Sequence, residues 1–393
     1  MNGGALTYYE FFAGGGMARA GLGEKWRCLL ANDIDPMKAA TYAANWGADH
    51  LVCGDVAKLT PSDLPEAADL AWASFPCQDL SLAGDHAGLG RAAGVGMTRS
   101  GSFWPFWALI GKLKVEGRAP RVIALENVYG VLTSRGGKDF AAIGAALGGS
   151  GYRFGAFAID AIHFVPQSRP RVIFVAVAAN LSIPAELTET TPSTDWRPKA
   201  LVGAYGGLSA AAKRKWVWWR LPMPSVRNAA LSDLMEERPR DARWHTPDET
   251  TRLLGMMSSL NRTKVEAAKQ AGRRIVGGVY KRTRPDADGV KRQRAEVRFD
   301  GVAGCLRTPA GGSSRQTILV VEGDRVRSRL LSSREAARLM GLPDDYRLPA
   351  RYNDAYHVAG DGVCPPVVRH IAHHLLEPIL AGRAPPMRLM AAE

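Results

Sequence analysis

Three short stretches hold side chains able to do covalent and acid–base chemistry. Ser74-Phe75-Pro76-Cys77-Gln78 closes an apolar run, and Pro76 restricts the backbone on both sides of itself. That places Cys77 at the carboxyl edge of a strand, where open α/β sites form. A thiolate there is a nucleophile when positive charge or a helix N-terminus lies nearby. For Cys28, Cys53 and Cys364 the plainer reading of a buried, inert thiol holds. Glu126-Asn127-Val128 ends the apolar run Val122 to Leu125. Burial there would push the carboxyl of Glu126 upward in pKa and let it give a proton, unless it is a structural acid paired with an arginine. Gln167-Ser168-Arg169-Pro170-Arg171 puts two guanidinium groups at alternate positions, on one face if the segment is extended. Such a pair can clamp a phosphate or a base carbonyl and favour a thiolate, or it can be ordinary surface charge.

A second set of residues points to an adenosyl ligand. Phe12-Ala13-Gly14-Gly15-Gly16 lies where a strand hands over to a helix, and Arg19 stands where the dinucleotide fingerprint would need its third glycine. Alone it reads equally as a tight turn. Asn32-Asp33-Ile34-Asp35 ends the next strand, where an acid can accept ribose hydroxyls, although Asp33 or Asp35 can also cap the helix toward Trp46. Gly54-Asp55-Val56 ends the third strand, where a carboxylate can meet an adenine amino group. Gly-rich turn, acid and acid at three successive strand ends favour an adenosyl ligand over three unrelated caps.

The elements that must position these groups are legible as alternating short apolar runs and helical patterns. Strands are expected at Leu6 to Phe12, Arg27 to Asn32, His50 to Cys53, Leu70 to Ser74, Arg121 to Leu125, Arg153 to Ala158 and Arg171 to Val177, with helices such as Asp35 to Trp46 and Phe103 to Leu113 between them. This alternation reads as an α/β domain with a largely parallel sheet. Near Ser182 the texture changes to interspersed Pro, Trp and basic residues. Ala310-Gly311-Gly312-Ser313-Ser314 reads as a loop. Ser332 and Glu335 form a capping-box signature for a helix through Met340, and a last helix is expected from Pro365-Pro366 to about Leu380. The partition that follows is a catalytic, cofactor-binding domain of residues 1–182 and 355–393. A smaller, inserted basic domain spans 183–354.

Composition agrees. The 393 residues carry 51 Lys+Arg against 38 Asp+Glu, a net +13. Within 195–300 alone, 23 basic and 12 acidic residues give +11, so the surface for a polyanionic partner is expected there. Five scattered cysteines without a C-x-x-C pair exclude a disulfide framework and a zinc site. No signal-peptide pattern or bilayer-length apolar run occurs, so a soluble chain in the reducing cytoplasm, away from membranes, is expected. His370, His373 and His374 share a helix face but lack an acidic partner, and no metal is assigned.

A thiolate, a protonated carboxyl, an arginine pair and an adenosyl cofactor together fit methylation of cytosine at carbon 5. At these residues the chain resembles the DNA (cytosine-5) methyltransferase family. Phe12 to Gly16 looks like the family's first motif, Asp33 and Asp55 match its ribose and adenine contacts, and Phe75-Pro76-Cys77-Gln78 resembles the nucleophile motif. Glu126-Asn127-Val128 matches the motif that meets the flipped cytosine, and Gln167-x-Arg169-x-Arg171 the arginine motif. Arg334 to Leu339 is similar to the helix that supports target recognition, and Tyr356 to Pro366 to the last motif. The resemblance implies a Rossmann-like methyltransferase domain with a mixed, mostly parallel sheet, and makes 183–354 the target-recognition domain with its supporting helix. It also implies S-adenosylmethionine as cofactor, held by Phe12, Ala13, Gly14, Gly16, Asp33, Ile34, Asp55, Val56, Pro76, Asp361 and Val363. Cys77, Gln78, Glu126, Arg169 and Arg171 are implied as catalytic.

Three departures stand out: Met17 replaces a family Gly, Asp33 a common Glu, and Asp361 an Asn near the cofactor's methionine carboxylate. An ionised Asp361 would repel that carboxylate unless turned toward the α-ammonium or held by an Arg.

The implied partner is double-stranded DNA from which the target base is flipped. Candidate contacts are Ser81, Gln167, Lys213-Arg214-Lys215, Arg273-Arg274, Lys281-Arg282 with Arg284, and Arg315. Trp216, Trp218 and Trp219 are expected in the small domain's core rather than as a stacking platform. Family members usually act as monomers, and a cognate restriction endonuclease acting separately is compatible. A transfer-RNA cytosine as substrate, or a non-catalytic DNA-binding protein on the same fold, remain as alternatives.

Overall fold

The computed structural model describes residues 5–76, 89, 99–192, 195–227, 229–285, 289–307 and 315–382, at 99, 284 and 285 the backbone only. Cys77, Gln78, Ser81 and loop residues 311–314 lie outside the described residues. Contacts divide the chain into two compact units. One comprises Met1–Ile159, Pro170–Pro224 and Val363–Glu393, the other Asp160–Arg169 and Ser225–Gly362.

The first unit is built on β1 (Leu6–Phe11), β2 (Trp26–Asp33), β3 (Leu51–Cys53), β4 (Leu70–Ala73), β5 (Val122–Val128), β6 (Tyr152–Asp160) and β7 (Pro170–Ala178). They form one sheet in the order β3-β2-β1-β4-β5-β7-β6. The first five strands pair in parallel and β7 runs antiparallel to β5, so the sheet is mixed and mostly parallel, as expected. All seven expected strands are present, with ends shifted by up to three residues. Val122 to Asn127 is buried at every position, because helices cover a parallel sheet on both faces and leave no alternation to read. Those helices are α1 (Met17–Leu22), α2 (Pro36–Trp46), α3 (Phe103–Val115) and α4 (Lys138–Gly149). Phe11, Phe106, Ile123, Phe140 and Phe174 belong to the large core between them.

The chain after Ser182 stays with this unit as far as Pro224. It forms β8 (Thr188–Glu189), α5 (Lys199–Gly206), α6 (Ala210–Lys213) and β9 (Trp218–Trp219). Residues 215–217 lie along β6: Phe154 donates its N–H to the Lys215 carbonyl at 2.9 Å, and Val217 donates to the Phe154 carbonyl at 2.7 Å. Trp216 meets Phe154 edge-on at 5.4 Å. The tryptophans are therefore packing residues, but of the sheet-bearing unit and not of the small domain. Lys213, Arg214 and Lys215 go with them, outside the basic unit. Local composition marked a change of texture at 182, whereas packing against the sheet persists some forty residues longer.

The second unit holds α7 (Pro247–Gly255), α8 (Ser259–Gln270), β10 (Ile275–Pro285), β11 (Lys291–Arg298), β12 (Thr317–Glu322), β13 (Arg325–Leu330), α9 (Ser333–Leu339) and α10 (Tyr352–Asp361). Its four strands form an antiparallel sheet ordered β11-β10-β12-β13. Leu253, Met257, Val265 and Ala268 pack on Val279, Ala295, Val297 and Leu319. The capping box at α9 is present, and Glu335 does more than cap: both of its oxygens take Arg329 at 2.6 Å in a fully buried pair.

The chain then returns to the first unit as α11 (Pro365–Ile371) and α12 (Glu377–Ala381). A π turn at Ala372–Leu376 interrupts what the sequence presents as one helix, just before Pro378, which has no N–H to give. α11 crosses α1 at Gly21. A Cβ there would stand 2.4 Å from Val368 Cβ and 2.6 Å from the Pro365 carbonyl oxygen. Because that oxygen is backbone, the contact cannot be relieved by a rotamer change. Gly21→Ala is expected to lower unfolding free energy by about 1–3 kcal/mol in urea titration, and an unchanged midpoint would show that α1 and α11 do not press together here.

Candidate active site

The turn after β1 is shaped by backbone that only small or strained residues adopt. Gly14 and Gly16 have φ of 57° and 77°, and Phe12, unusually for a large residue, 57°. A Cβ on Gly16 would run into the Trp46 indole at 2.3 Å, so this glycine is required by packing. Around Gly14 nothing lies within 4 Å of the same position, so its face is open to a ligand. Asp33 links the turn to β2: one carboxylate oxygen accepts the Gly14 N–H at 2.7 Å and the other the Asp35 N–H at 2.9 Å. Burial pushes Asp33 above the ordinary carboxylate range, and the Asp35 and Gly14 N–H bonds pull it back. Asp35, not Asp33, caps α2, accepting from Met37 and Lys38. Beside Asp33, Ile34 is 65% exposed, an apolar side chain at the strand end with no protein over it. Asp55 accepts the Ala57 N–H at 2.9 Å, and Val56 is buried behind it. The open glycine, the acid at the end of β2 and the bare aliphatic beside it suit an adenosyl group: hydroxyls onto Asp33, a flat ring against Ile34.

One residue under this turn carried no motif signal. Glu10, the last acid of β1, is fully buried and accepts backbone N–H bonds from Ala18 and Arg19 at the start of α1, while Oε2 has no hydrogen-bond partner. Desolvation pushes its carboxyl up to about 8. Arg19 lies nearby, donating to the Tyr42 hydroxyl at 3.0 Å and meeting His50. Cys28, within the same cluster, is pushed up to about 11, chiefly by burial, which makes it an inert thiol. Cys53, by contrast, is exposed and not buried as expected. An acid among the apolar residues of a strand was the only sequence sign of this cluster.

The other half of the site lies at the ends of β4 and β5. Asn127 donates its amide to the Phe75 carbonyl at 3.1 Å, and its own oxygen accepts the Val128 N–H. Phe75 is buried against Phe103. The chain is thus held at Phe75, two residues before Cys77. Glu126, 8% exposed, receives the Arg171 guanidinium at 2.8 Å across the β5–β7 pair. Farther along, Leu89 is anchored at three points: its side chain is buried, its N–H goes to the buried carboxylate of Asp139 at 3.1 Å, and its carbonyl accepts the Trp104 indole at 3.0 Å.

The arginine motif is divided. Arg171 pairs with Glu126 in the first unit. Arg169 belongs to the second and is 2% exposed, its guanidinium donating to the carbonyls of Gly360 and Gly362 at 2.8 Å and of Leu306 at 3.3 Å. The two do not form a clamp on one face, because Pro170 opens β7 while Arg169 still belongs to the preceding turn. Gln167 is completely buried, bonded to Leu306 N–H and the Leu339 carbonyl, so it is unavailable to a nucleic acid. Asp361 closes α10 with an exposed side chain, and Val363 is buried. Of the basic candidates, Arg274 is bound to Glu237 and Glu322, and Arg315 to Asn353 and the Tyr352 ring, while Arg273 and Arg282 are exposed. His370 meets the Pro222 carbonyl, and burial drops it to about 4.

Glu10 generates a test. A carboxyl raised from 4.5 to about 8 is neutral in the fold and ionised in the unfolded chain between those values. Unfolding then releases a proton, so stability falls as pH rises through that window, by up to about 1.4 kcal/mol per pH unit. Denaturant titrations across it are expected to show this decline in the parent and a flatter profile in Glu10→Gln; parallel profiles would refute the assignment.

The family model for C-5 cytosine-specific DNA methylases matches residues 6–377. The Type II methyltransferase M.NlaX of Neisseria lactamica is 26% identical over 370 residues, covering 93% of this chain and 95% of that one. M.HaeII of Haemophilus aegyptius, also a Type II methyltransferase, is 26% identical over 378 residues, with 93% and 92% covered. Among solved structures, DNMT2 of Spodoptera frugiperda superposes with a TM-score of 0.61 at 16% identity, covering 95% of this chain and 99% of that one, a likeness of fold. With the match running from β1 to the start of α12, the chain belongs to the C-5 cytosine-specific DNA methylase family and is a DNA cytosine-5 methyltransferase.

Proposed function

We propose that this enzyme transfers the methyl group of S-adenosylmethionine to carbon 5 of a cytosine swung out of a specific duplex DNA sequence, through a transient bond between Cys77 and C6. The observation that carries the reading is the position of the two half-sites on the sheet. The strand order reverses between β1 and β4. On one side of that switch stand the open Gly14 turn, Asp33 and Asp55; on the other, Pro76 leading into Cys77, and Glu126 with Asn127. Ligands of open α/β sheets bind where the order reverses, outside the carboxyl ends.

Carbon 5 of cytosine is a poor nucleophile, and the protein's task is to change that. A thiolate at Cys77 adds to C6 and N3 takes up a proton, leaving electron density on C5 as an enamine; Glu126, held by Arg171 at 2.8 Å and so paired with an arginine rather than a lone buried acid, accepts the N3–H hydrogen bond. The bound cofactor supplies an electrophilic methyl group on a sulfonium. Removal of the C5 proton then lets the thiol leave and restores the aromatic ring. Asn127 acts through the Phe75 carbonyl, holding the approach to Cys77 at a constant height above the sheet. Phosphate contacts are assigned to the basic second unit, including Arg273, Lys281, Arg282 and Arg315. Arg169 serves by holding the Gly360 and Gly362 carbonyls at the end of α10 rather than by touching the base.

Bisulfite sequencing of plasmid DNA from expressing cells is expected to show cytosines protected at one recurring sequence, and none with Cys77→Ala. Labelled methyl incorporation into transfer RNA instead of DNA would move the substrate to RNA, and protection surviving Cys77→Ala would refute the covalent route. Asp33→Asn is expected to weaken S-adenosylmethionine binding about 10- to 100-fold by calorimetry, the worth of charge-assisted bonds to hydroxyls. An unchanged affinity would remove Asp33 from the cofactor site.

A further inference from the structure

Phe75 and Leu89 are tied down by adjoining parts of the same unit. Asn127, at the end of β5, donates its amide to the Phe75 carbonyl at 3.1 Å. Asp139, in the first turn of α4, accepts the Leu89 N–H at 3.1 Å. Phe103 opens α3 with its ring 5.3 Å from that of Phe75. The next residue, Trp104, gives its indole N–H to the Leu89 carbonyl at 3.0 Å. Thirteen residues separate the two tied points, and Cys77 is the second of them.

Asp139 is a costly side chain to place there. It is completely buried, and taking a carboxylate out of water is offset only by well-made partners. Those partners are the Ser134 hydroxyl at 2.6 Å, the Arg135 Nε at 3.0 Å and the Leu89 N–H. Arg135 stands at φ 46°, in the left-handed region that favours glycine, and its guanidinium lies on Asp139. Ser134 and Arg135 are five and four residues away in the chain, whereas Leu89 is fifty away. A buried ion pair adds little stability beyond what packed apolar residues would give, and its better-attested use is to select one arrangement among several. Here the one distant group it selects is Leu89, on the segment that leaves β4 through Cys77.

The length of chain between tied points sets how widely its residues range. After Leu89 the next buried residue, among the described residues, is Ser100. Releasing Leu89 would therefore nearly double the span that starts at Phe75. Each doubling of a closed span makes a given arrangement about threefold rarer.

We propose that Asp139 and Trp104 are positioning residues for the nucleophile: by pinning Leu89 they shorten the span that carries Cys77 and restrict where its sulfur can stand. Both act through Leu89. The proposal rests on the reading of Cys77 as the residue that bonds to C6.

The test follows bond formation itself. The full chain, saturated with S-adenosylmethionine, is mixed with a duplex carrying 5-fluorocytosine at the methylated position that bisulfite sequencing identifies. With fluorine in place of the C5 hydrogen there is no proton to remove after methyl transfer, so the thiol cannot leave and the Cys77–C6 bond persists. The adduct is counted over time on a denaturing gel. Trp104→Phe keeps an aromatic ring and loses the indole N–H; Asp139→Asn leaves one accepting oxygen where two now accept. Each is expected to form adduct about 3- to 10-fold more slowly than the parent, from the longer span and the lost hydrogen bond. Calorimetric affinity for S-adenosylmethionine and the unfolding temperature of Trp104→Phe should match the parent, and this variant carries the test if Asp139→Asn does not fold. An unchanged adduct rate would overturn the assignment. So would a rate that falls only in step with cofactor affinity, because a general loosening of the fold would then account for it. A parent chain that binds S-adenosylmethionine and methylates DNA yet forms no adduct would remove the covalent reading of Cys77, and the positioning role with it.

Discussion

The parallel hydrogen-bonded register of β2, β1, β4 and β5 is the constraint on which the rest depends. It holds four strand ends level, so residues far apart in sequence arrive at one edge of the sheet. Phe11 stands opposite Asn32 and Ala73, and Ala73 opposite Leu125. One residue beyond these partners come the glycine turn, Asp33, the approach to Cys77, and Glu126. A parallel sheet tolerates such polar ends because its strands are otherwise buried, and the unpaired groups concentrate where the strands stop. The two half-sites sit on opposite sides of the point where the order reverses, which separates cofactor-type residues from base-type residues without a dedicated loop for either.

Around that edge, polar side chains mostly hold the backbone. Asp33 fixes the turn through Gly14, Asn127 fixes Phe75, and Asp139 fixes Leu89; within the second unit, separately, Arg169 fixes the end of α10. Each satisfies backbone N–H or C=O groups, and Asp33 and Asn127 do so next to the glycine turn and the approach to Cys77. Glu10 is the exception, with an oxygen left unpaired in the interior under the glycine turn. The second unit follows a different logic. Its one fully buried ion pair, among the described residues, joins Arg329 at the end of β13 to the cap of α9.

Much of this was legible without coordinates because the signals are local. Seven strands could be placed from apolar runs, α2 from Asp35 followed by Pro36, and α9 from Ser332 and Glu335, since capping and burial depend on neighbours in sequence. Charge density located the basic segment. What failed depended on distant partners. Trp216 and its neighbours were assigned to the small domain because composition changes near 182, yet they pack on Phe154. Gln167 looked like a polar contact, but Leu306 and Leu339 enclose it. Arg169 and Arg171 looked like a pair through their spacing, and Pro170 sends them to different partners.

The amino-acid order alone determined which chemistry is present: a thiol after a proline, an acid after a buried strand, a glycine turn followed by two acids, each set by residue type and short spacing. Tertiary structure decided which of those groups are free to act and which are structural. A side chain's availability depends on which carbonyls and carboxylates surround it, and those come from strands and turns more than a hundred residues away, as Arg169 with Gly360 shows. It also decided that Arg282 of β10 stands in register with Arg294 of β11, because strand register is a property of the pair and not of either strand.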